Sequence, residues 1–378
     1  MTSAKIAVSI NASWNFINFR TGLIAALQAA GYELVALAPL DEYSDRLEAL
    51  GVRLLPIDMD AGGRSPWRDA RLAIDYYRRL KSERPALYLG FTAKPNIYGS
   101  LAAQLLGITV INNVAGLGIA YTGRGWLSSL VSTLYRVAFR RSHTVFFQNK
   151  GDRDRFLAAG IVGAGQARLL PGSGIDLEHF RPRQGEGEER RGGPAFLMSS
   201  RLLWDKGVRE YAEAARIVRR RHPEARFWLL GFANPANPKA VPAEAIEGWV
   251  AEGLIEFLGA VADVRPFVAA ADCVVLPSFY PEGTPRALLE GAAMAKPLIT
   301  TDRPGCREVV EDGLTGYLCA PKDALSLAEA MMCMIALTPP EREAMGERAR
   351  RKAEKEFDEK IVIDRYLEAI EEALRQRC

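Results

Sequence analysis

Histidine and cysteine are scarce in this sequence of 378 residues, and each shortage excludes a class of site. The three histidines, His143, His179 and His222, lie far apart and predict no metal centre. The cysteines are odd in number and lack Cys-x-x-Cys spacing, which argues against a zinc site or disulfide framework and favours a reducing compartment. They are Cys273, Cys306, Cys319, Cys333 and Cys378.

A strong excess of charge is also missing. The formal net charge is only +3, so the chain has no bulk signature of nucleic-acid binding, and we expect no nucleic-acid partner. With 48% hydrophobic and 25% charged residues, the composition is that of a globular protein. The length favours two domains over one core.

Long uninterrupted apolar runs are absent as well. The opening segment KIAVSI predicts a strand and is too short for a signal peptide, so we expect none. Residues 95–123 contain no charge and could span a bilayer by length, but glutamine, asparagine and glycine interrupt them. A buried helix in NIYGSLAAQLL followed by a strand in ITVIN is favoured over a membrane span.

Short apolar runs alternate with helical patterns along the whole chain. The predicted strands are KIAVSI, ELVALAP, ALYLGF, ITVIN and HTVFFQ, then AFLMSS, RFWLLGF, LIEFLG, CVVLPS and PLITT. This alternation predicts an α/β protein with two doubly wound parallel sheets. We place the first domain at 1–180, a charged, glycine-rich linker at 181–194, the second domain at 195–355 and an amphipathic terminal helix at 356–378, with Ile361, Tyr366, Ile370 and Leu374 near one face.

The stretch FYPEGTPRALLEG follows a predicted strand and contains two glutamates. Thr284 is expected to cap a helix that begins at Pro285 and ends at Ala295, because these residue types favour those positions. Glu282 then lies on the loop and Glu290 within the helix, about 7 Å along its axis from Pro285. The two carboxylates are too far apart for an acid–base dyad.

Separated carboxylates suit hydroxyl groups at two ends of an elongated ligand. Backbone N–H groups near Gly283 and Thr284, aided by the helix dipole, could bind an anion between them. A second block, SSRLLWDKG, places Arg201 and Lys206 in the loop after another strand, where two cations can neutralise a diphosphate. Together these features are typical of a site for a nucleotide sugar.

These blocks resemble a known family. SSRLLWDKG, the Glu282–Glu290 stretch and DRPGCREVVEDGLTGYLCAP resemble the donor domain of family-4 retaining glycosyltransferases with the GT-B fold. In the first half, WNFINFRTGLIAAL, FTAKPNIYGSLAA and INNVAGLG resemble bacterial members that assemble lipid-linked oligosaccharides and polysaccharide repeat units. The resemblance covers nearly the whole chain and is more specific in its second half.

The resemblance implies two Rossmann-like domains facing across a cleft, with the terminal helix crossing back to the first domain. It implies that Arg201 and Lys206 hold the donor diphosphate, that Glu282 faces the transferred sugar, and that Glu290 binds the ribose. It places Gly283, Thr284 and Pro285 beside the donor, and Asn18, Lys94 and Asn113 on the acceptor side.

One departure from the family pattern concerns the base. Many members carry a histidine near the segment that here is INNVAGLG, where Asn113 stands. No general base is assigned, and the resemblance implies front-face attack in which the leaving phosphate helps to deprotonate the acceptor. Catalysis would then consist mainly of positioning and electrostatic stabilisation.

We therefore expect a metal-independent hexosyltransferase without a cofactor. Its donor would be a UDP-linked hexose or N-acetylhexosamine, and its acceptor an undecaprenyl-diphosphate-linked saccharide. The enzyme would be cytoplasmic and peripheral to the inner membrane face. A nucleotide-sugar epimerase of the same fold and a non-catalytic nucleotide-sugar-binding protein are the alternatives.

Three other segments have competing interpretations. The spacing Asp58-x-Asp60 could indicate the metal-binding DxD motif of glycosyltransferases with the GT-A fold. However, the motif lies early in the chain, and the two-domain layout opposes the GT-A fold. The segment GLGIAYTG does not follow the first strand, as a dinucleotide-binding loop should. Residues 124–141 are apolar with basic ends, so we expect a packed helix whose exposed arginines could touch an anionic membrane.

Overall fold

The computed structural model describes residues 4–60, 65–116, 126–182, 193–233 and 237–376. The chain divides into two compact units, each described below by itself. Unit 1 is Met1–Ser173 with Glu359–Cys378, and unit 2 is Gly174–Asp358. The chain thus enters the second unit before the predicted boundary at 180, and most of the predicted linker lies outside the described residues.

Both units contain a parallel sheet. The strands of unit 1 are Lys5–Ser9 (β1), Glu33–Ala38 (β2), Arg53–Pro56 (β3), Leu87–Phe91 (β4), Thr109–Val114 (β5), Thr144–Phe147 (β6) and Ala167–Leu169 (β7). Those of unit 2 are Ala195–Ser199 (β8), Arg226–Leu230 (β9), Glu256–Gly259 (β10), Cys273–Leu276 (β11), Leu298–Thr301 (β12) and Gly316–Cys319 (β13). The orders are β3-β2-β1-β4-β5-β6-β7 and β10-β9-β8-β11-β12-β13, which confirms the predicted fold class.

The helices connect these strands in chain order. They are Ser13–Phe19 (α1), Thr21–Ala29 (α2), Ser44–Ala49 (α3), Pro66–Glu83 (α4), Ser100–Leu105 (α5), Trp126–Phe139 (α6), Lys150–Ala158 (α7), Val208–Arg219 (α8), Ala243–Ala251 (α9), Arg265–Ala270 (α10), Arg286–Ala293 (α11), Ala324–Ala336 (α12), Pro339–Glu356 (α13) and Glu359–Arg375 (α14). A π-helical turn at Pro95–Gly99 precedes α5, and a 3₁₀ turn at Trp204–Lys206 precedes α8. None of the helices in the described ranges is both long and apolar enough to cross a bilayer.

Central strands are buried on both faces, and this explains why their sequences are continuously apolar. All five residues of β4 and all four of β11 are buried. In unit 1, α2 and α14 pack on one face of the sheet, and α4 to α7 pack on the other. Parallel strands need such cover on both sides. The carboxyl ends of β8, β11 and β12 therefore lie side by side at one edge of the second sheet.

The terminal helix α14 belongs to unit 1, as the family resemblance implies. Tyr366 is fully buried, with ring centroids 6.0 Å from Phe91 and 4.9 Å from Phe146. The Asn113 amide donates a hydrogen bond of 2.6 Å to the Tyr366 hydroxyl. The end of the chain is thus held to β4, β5 and β6 by aromatic packing and one buried polar contact.

Candidate functional site

The loop after β11 carries the two glutamates predicted from the sequence. Pro285 has an extended conformation, with φ −68° and ψ 126°, and is itself the N-cap of α11, which begins at Arg286. The prediction of Thr284 as N-cap was therefore wrong by one residue, because the extended Pro285 delays the first helical turn. The helix also ends at Ala293 rather than Ala295, which adopts a left-handed conformation with φ 53°.

Lys206 and Glu282 form an ion pair although they come from different loops. The Lys206 ammonium contacts Glu282 Oε1, and only 11% and 10% of the two side chains are exposed. The Ser278 hydroxyl donates a 2.8 Å hydrogen bond to the same carboxylate oxygen. Ions shielded from water interact more strongly than ions on a surface, so this pair fixes both side chains at the sheet edge.

Tyr280 lies beside both predicted diphosphate-binding cations. Its ring centroid is 6.0 Å from the Arg201 guanidinium carbon and 5.5 Å from Lys206 Nζ, within reach of cation–π attraction. Burial raises the pKa of the Tyr280 phenol, and the positive charge of Arg201 opposes that rise. The phenol is therefore neutral at physiological pH. Tyr280 was not among the residues predicted from the sequence, although its place between Ser278 and Glu282 was the available signal.

Backbone contacts hold these loops together. The Asp205 carbonyl accepts hydrogen bonds of 2.9 Å from the N–H groups of Phe279 and Tyr280. Gly207 has φ 82°, and a Cβ there would come within 2.2 Å of the Pro277 carbonyl oxygen. Only glycine fits this close approach without strain. The loop after β8 is therefore in direct contact with the loop after β11.

The loop after β12 approaches the same place. Gly305 has φ 90°, and a Cβ there would lie 2.0 Å from the Gly283 carbonyl oxygen and 2.8 Å from that of Glu282. Thr284, the next residue along, is 8% exposed. Three loops from neighbouring strands thus meet around Glu282, at the kind of sheet edge where α/β folds bind ligands.

Glu290 has a different cation as its partner. Its Oε1 lies 3.5 Å from Arg286 Nε, and the side chain is 15% exposed. Burial raises the pKa of the Glu290 carboxyl, while the charges of Arg286 and His179 oppose the rise. Arg286 also donates 2.6 Å to the Gly174 carbonyl and lies 5.7 Å from the Phe180 ring centroid. The two glutamates therefore contact separate cations and do not form a dyad.

The predicted acceptor-side residues of unit 1 make separate contacts. Asn18 is exposed on α1 and donates 2.8 Å to the Trp14 carbonyl. Lys94 pairs with Asp69 at 2.7 Å, and Asp69 also accepts 2.9 Å from the Tyr98 hydroxyl. Asn113 is fully buried against α14. Its amide is used to hold the terminal helix.

Among the residues that the structure describes, no three histidines, cysteines or acids are grouped so that they could hold a metal. Asp60, from the Asp58-x-Asp60 spacing, lies 3.3 Å from Arg68 in an exposed ion pair. Residues 117–123 of the glycine-rich segment and Arg124 lie outside the described ranges.

Two family models match, one in each unit. "Glycosyl transferase 4-like domain" matches residues 19–173, and "Glycosyl transferases group 1" matches residues 193–336. Together they span most of both sheets.

Curated relatives align over much of the chain. An N,N'-diacetylbacillosaminyl-diphospho-undecaprenol alpha-1,3-N-acetylgalactosaminyltransferase of Campylobacter jejuni is 26% identical, covering 98% of this chain and 99% of the relative. A UDP-Gal:alpha-D-GlcNAc-diphosphoundecaprenol alpha-1,3-galactosyltransferase of Escherichia coli is 25% identical, covering 70% of each.

Solved structures share the fold at low sequence identity. A glycosyltransferase from Rickettsia africae superposes with a TM-score of 0.81 at 16% identity, covering 99% of both chains. Anabaena Alr3699/HepE, in complex with UDP and glucose, superposes with a TM-score of 0.79 at 19% identity, covering 97% of this chain and 99% of its own. Family models, curated relatives and fold agree, and the chain belongs to the family-4-type glycosyltransferases with the GT-B fold.

Proposed function

We propose that this glycosyltransferase transfers a hexose or N-acetylhexosamine from a UDP-linked donor with retention of configuration. The observation that carries the proposal is the Lys206–Glu282 ion pair, with Arg201 and Tyr280 beside it, at the carboxyl edge of β8 and β11. Two cations suit a diphosphate, and a carboxylate suits the hydroxyl groups of a sugar. One small region thus offers both kinds of group.

Donor binding would break the ion pair between Lys206 and Glu282 and give each side chain a contact with the donor. A diphosphate oxygen would take the Lys206 ammonium, and Glu282 would then accept a hydrogen bond from a hydroxyl of the transferred sugar. A cation about 4 Å from a phosphate charge contributes on the order of 4 kcal/mol at an effective dielectric constant of 20, before desolvation. This attraction would stabilise the UDP leaving group as its negative charge develops.

The transfer step requires no protein base in this proposal. The acceptor hydroxyl oxygen forms a bond to the anomeric carbon on the face from which the leaving phosphate departs. The bond between that carbon and the phosphate oxygen breaks, and the hydroxyl proton passes to the departing phosphate. The protein would supply orientation and charge stabilisation.

The nucleoside end of the donor would lie at α11. Glu290 is proposed to accept hydrogen bonds from the ribose hydroxyls, and its contact with Arg286 holds it in place. Gly283, Thr284 and Pro285 connect this carboxylate to Glu282 and would follow the donor between its two ends. Backbone N–H groups before α11 would assist anion binding there.

The proposed acceptor is a saccharide linked to undecaprenyl diphosphate. The names of the Campylobacter jejuni and Escherichia coli relatives both contain a diphosphate-linked undecaprenol, and the first aligns over nearly the whole chain. The enzyme would then work in the cytoplasm at the inner membrane face. Asn18, Lys94 and Asn113 remain the proposed acceptor-side residues. Lys94 is the cation suited to an acceptor phosphate, which would replace Asp69 as its partner. Asn113 is buried and bonded to Tyr366, so it would support the acceptor side of unit 1 without contacting the acceptor.

Transfer is favoured over the two alternatives left open by the sequence. Both of these relatives are named as transferases, and neither is named as an epimerase or a binding protein. The charged groups around Glu282 also suit a leaving diphosphate better than proton exchange at a sugar carbon.

Incubation with UDP-sugars and a synthetic saccharide on diphosphate-linked polyprenol should yield an acceptor one sugar longer, together with UDP. Mass spectrometry would detect the product, and NMR of its anomeric proton should show the donor's configuration. Omitting the acceptor should suppress UDP release. An epimerised donor, or binding without turnover for every UDP-sugar and acceptor tried, would contradict transfer.

Lys206→Met should abolish transfer and lower the free energy of unfolding by about 3 kcal/mol, because it leaves the Glu282 carboxylate shielded from water without its cation. The double variant Lys206→Met, Glu282→Gln should recover most of that stability but no activity. Urea titration and the transfer assay would separate the two effects.

The matched control is Arg351→Met, which breaks an exposed pair with Glu347 and should cost less than about 1 kcal/mol. An active Lys206→Met enzyme, or a double variant no more stable than the single one, would contradict the assigned roles.

Glu290→Gln should weaken UDP binding at least tenfold. Without ligand, the free energy of unfolding of this variant should increase relative to that of wild type as pH rises. Burial raises the pKa of the folded Glu290 carboxyl above its unfolded value of 4.5, so the folded state binds the proton more tightly. Wild-type stability should therefore fall from about pH 4.5 up through the folded pKa, a loss that the amide variant avoids.

Urea titrations across this pH range, with calorimetric measurement of UDP binding, would test both effects. Exposed Glu244→Gln should leave UDP affinity unchanged. A free energy of unfolding of Glu290→Gln that falls relative to that of wild type as pH rises would show that the sign is wrong.

A further inference from the structure

One face of α4 exposes large apolar side chains among basic ones. Trp67 is 83% exposed and Ile74 is 51% exposed, values typical of solvent-facing charged residues rather than of a tryptophan. Arg71, Arg78 and Lys81 on the same helix are also exposed. We call these five residues the α4 stripe.

Helical geometry places the five residues of the stripe on one side of α4. At about 100° per residue, positions 67, 71, 74, 78 and 81 fall within an arc of about 80°. The buried side of α4, formed by Leu72, Tyr76 and Leu80, is centred opposite this arc. The stripe therefore points away from the core of unit 1, and its tryptophan does not contribute to that core.

The acidic residues of α4 are engaged outside the stripe. Asp69 pairs with Lys94, Asp75 with Arg79, and Glu83 with Lys5 and Arg53. None of these three acids belongs to the stripe, so the charged side chains of the stripe are all cations. The stripe combines apolar groups with net positive charge.

Neighbouring helices of the same layer extend this character. Helix α5 packs against both α4 and α6. Leu105 at the end of α5 is 80% exposed, and on α6 Leu130 and Val137 are 45% and 52% exposed. Arg140 and Arg141, just after α6, are exposed as well. The packed body of α6, with buried Phe139, agrees with the predicted core helix, and its outer side continues the surface.

We propose that the outer surface of the α4–α5–α6 layer binds a lipid membrane containing anionic headgroups, with Trp67 inserted at the interface. Tryptophan favours the boundary between water and hydrocarbon, where its ring is buried and its N–H stays hydrated. Lysine and arginine beside it are attracted to anionic lipids, and isoleucine and leucine add apolar area. The inference does not require the donor-site assignment, although it would bring the enzyme to a membrane-borne acceptor.

Flotation of the intact protein with vesicles should reveal this binding. We expect association with vesicles of phosphatidylcholine and phosphatidylglycerol, weak association with phosphatidylcholine alone, and loss at high salt because the charges are screened. Trp67→Ala should weaken the partition coefficient about tenfold. The triple variant Arg71→Gln, Arg78→Gln, Lys81→Gln should weaken it on the order of a hundredfold, at about fivefold per charge.

Control variants remove one exposed apolar side chain or three exposed cations from unit 2. Leu325→Ala removes an exposed apolar group of unit 2, and Arg220→Gln, Arg351→Gln, Lys355→Gln removes three exposed cations there. Both should bind vesicles as the wild type does, and the α4 variants should keep full transfer to a water-soluble acceptor analogue. This separation keeps the membrane test distinct from a failure of the proposed transfer.

Three outcomes would overturn the proposal. The first is no wild-type binding to anionic vesicles, and the second is binding that the α4 variants do not change. The third is a concentration-dependent dimer that Trp67→Ala dissociates while vesicle binding is absent, which would make the surface a contact between two copies of this chain.

Discussion

The nearly buried ion pair between Lys206 and Glu282 is the interaction on which the proposed donor site depends. Two charges withdrawn from water are costly unless they neutralise each other and are hydrogen-bonded, and here Ser278 supplies a further donor to the carboxylate. Before any ligand arrives, the pair holds a cation and an anion in fixed positions. A donor carrying both phosphate charge and sugar hydroxyls can satisfy both groups when it separates them.

Close backbone packing makes this arrangement possible. Gly207 and Gly305 both adopt left-handed conformations. A Cβ at Gly207 would collide with the carbonyl of Pro277, and a Cβ at Gly305 would collide with the carbonyls of Glu282 and Gly283. Larger residues would push the loops after β8 and β12 away, and the pair would lose its shelter from water. The site therefore rests on the parallel sheet, which brings the three strand ends together, and on glycines that let the loops touch.

Sequence patterns predicted the central strands well, because strands buried on both faces must be continuously apolar. Three of the four edge strands, β3, β7 and β13, were not among the predicted strands, since they are short and partly exposed.

Lys206 and Glu282 were both selected, but their direct pairing was not predicted. They are 76 positions apart, so only the folded sheet brings them together. Tyr280 was missed for the same reason, because its significance lies in the two cations near its ring. The α4 stripe was visible as a helical period, yet alternation of apolar and basic residues hides it from a search for apolar faces.

The most direct test of the donor site compares the binding of UDP and UMP to the ligand-free enzyme by titration calorimetry. The two ligands share the nucleoside and differ by the phosphate that Arg201 and Lys206 are proposed to hold. The account predicts that UDP binds at least about tenfold more tightly, a difference of about 1.4 kcal/mol, and that Arg201→Ala removes most of this margin. Equal affinity for UDP and UMP in the wild-type enzyme would contradict it.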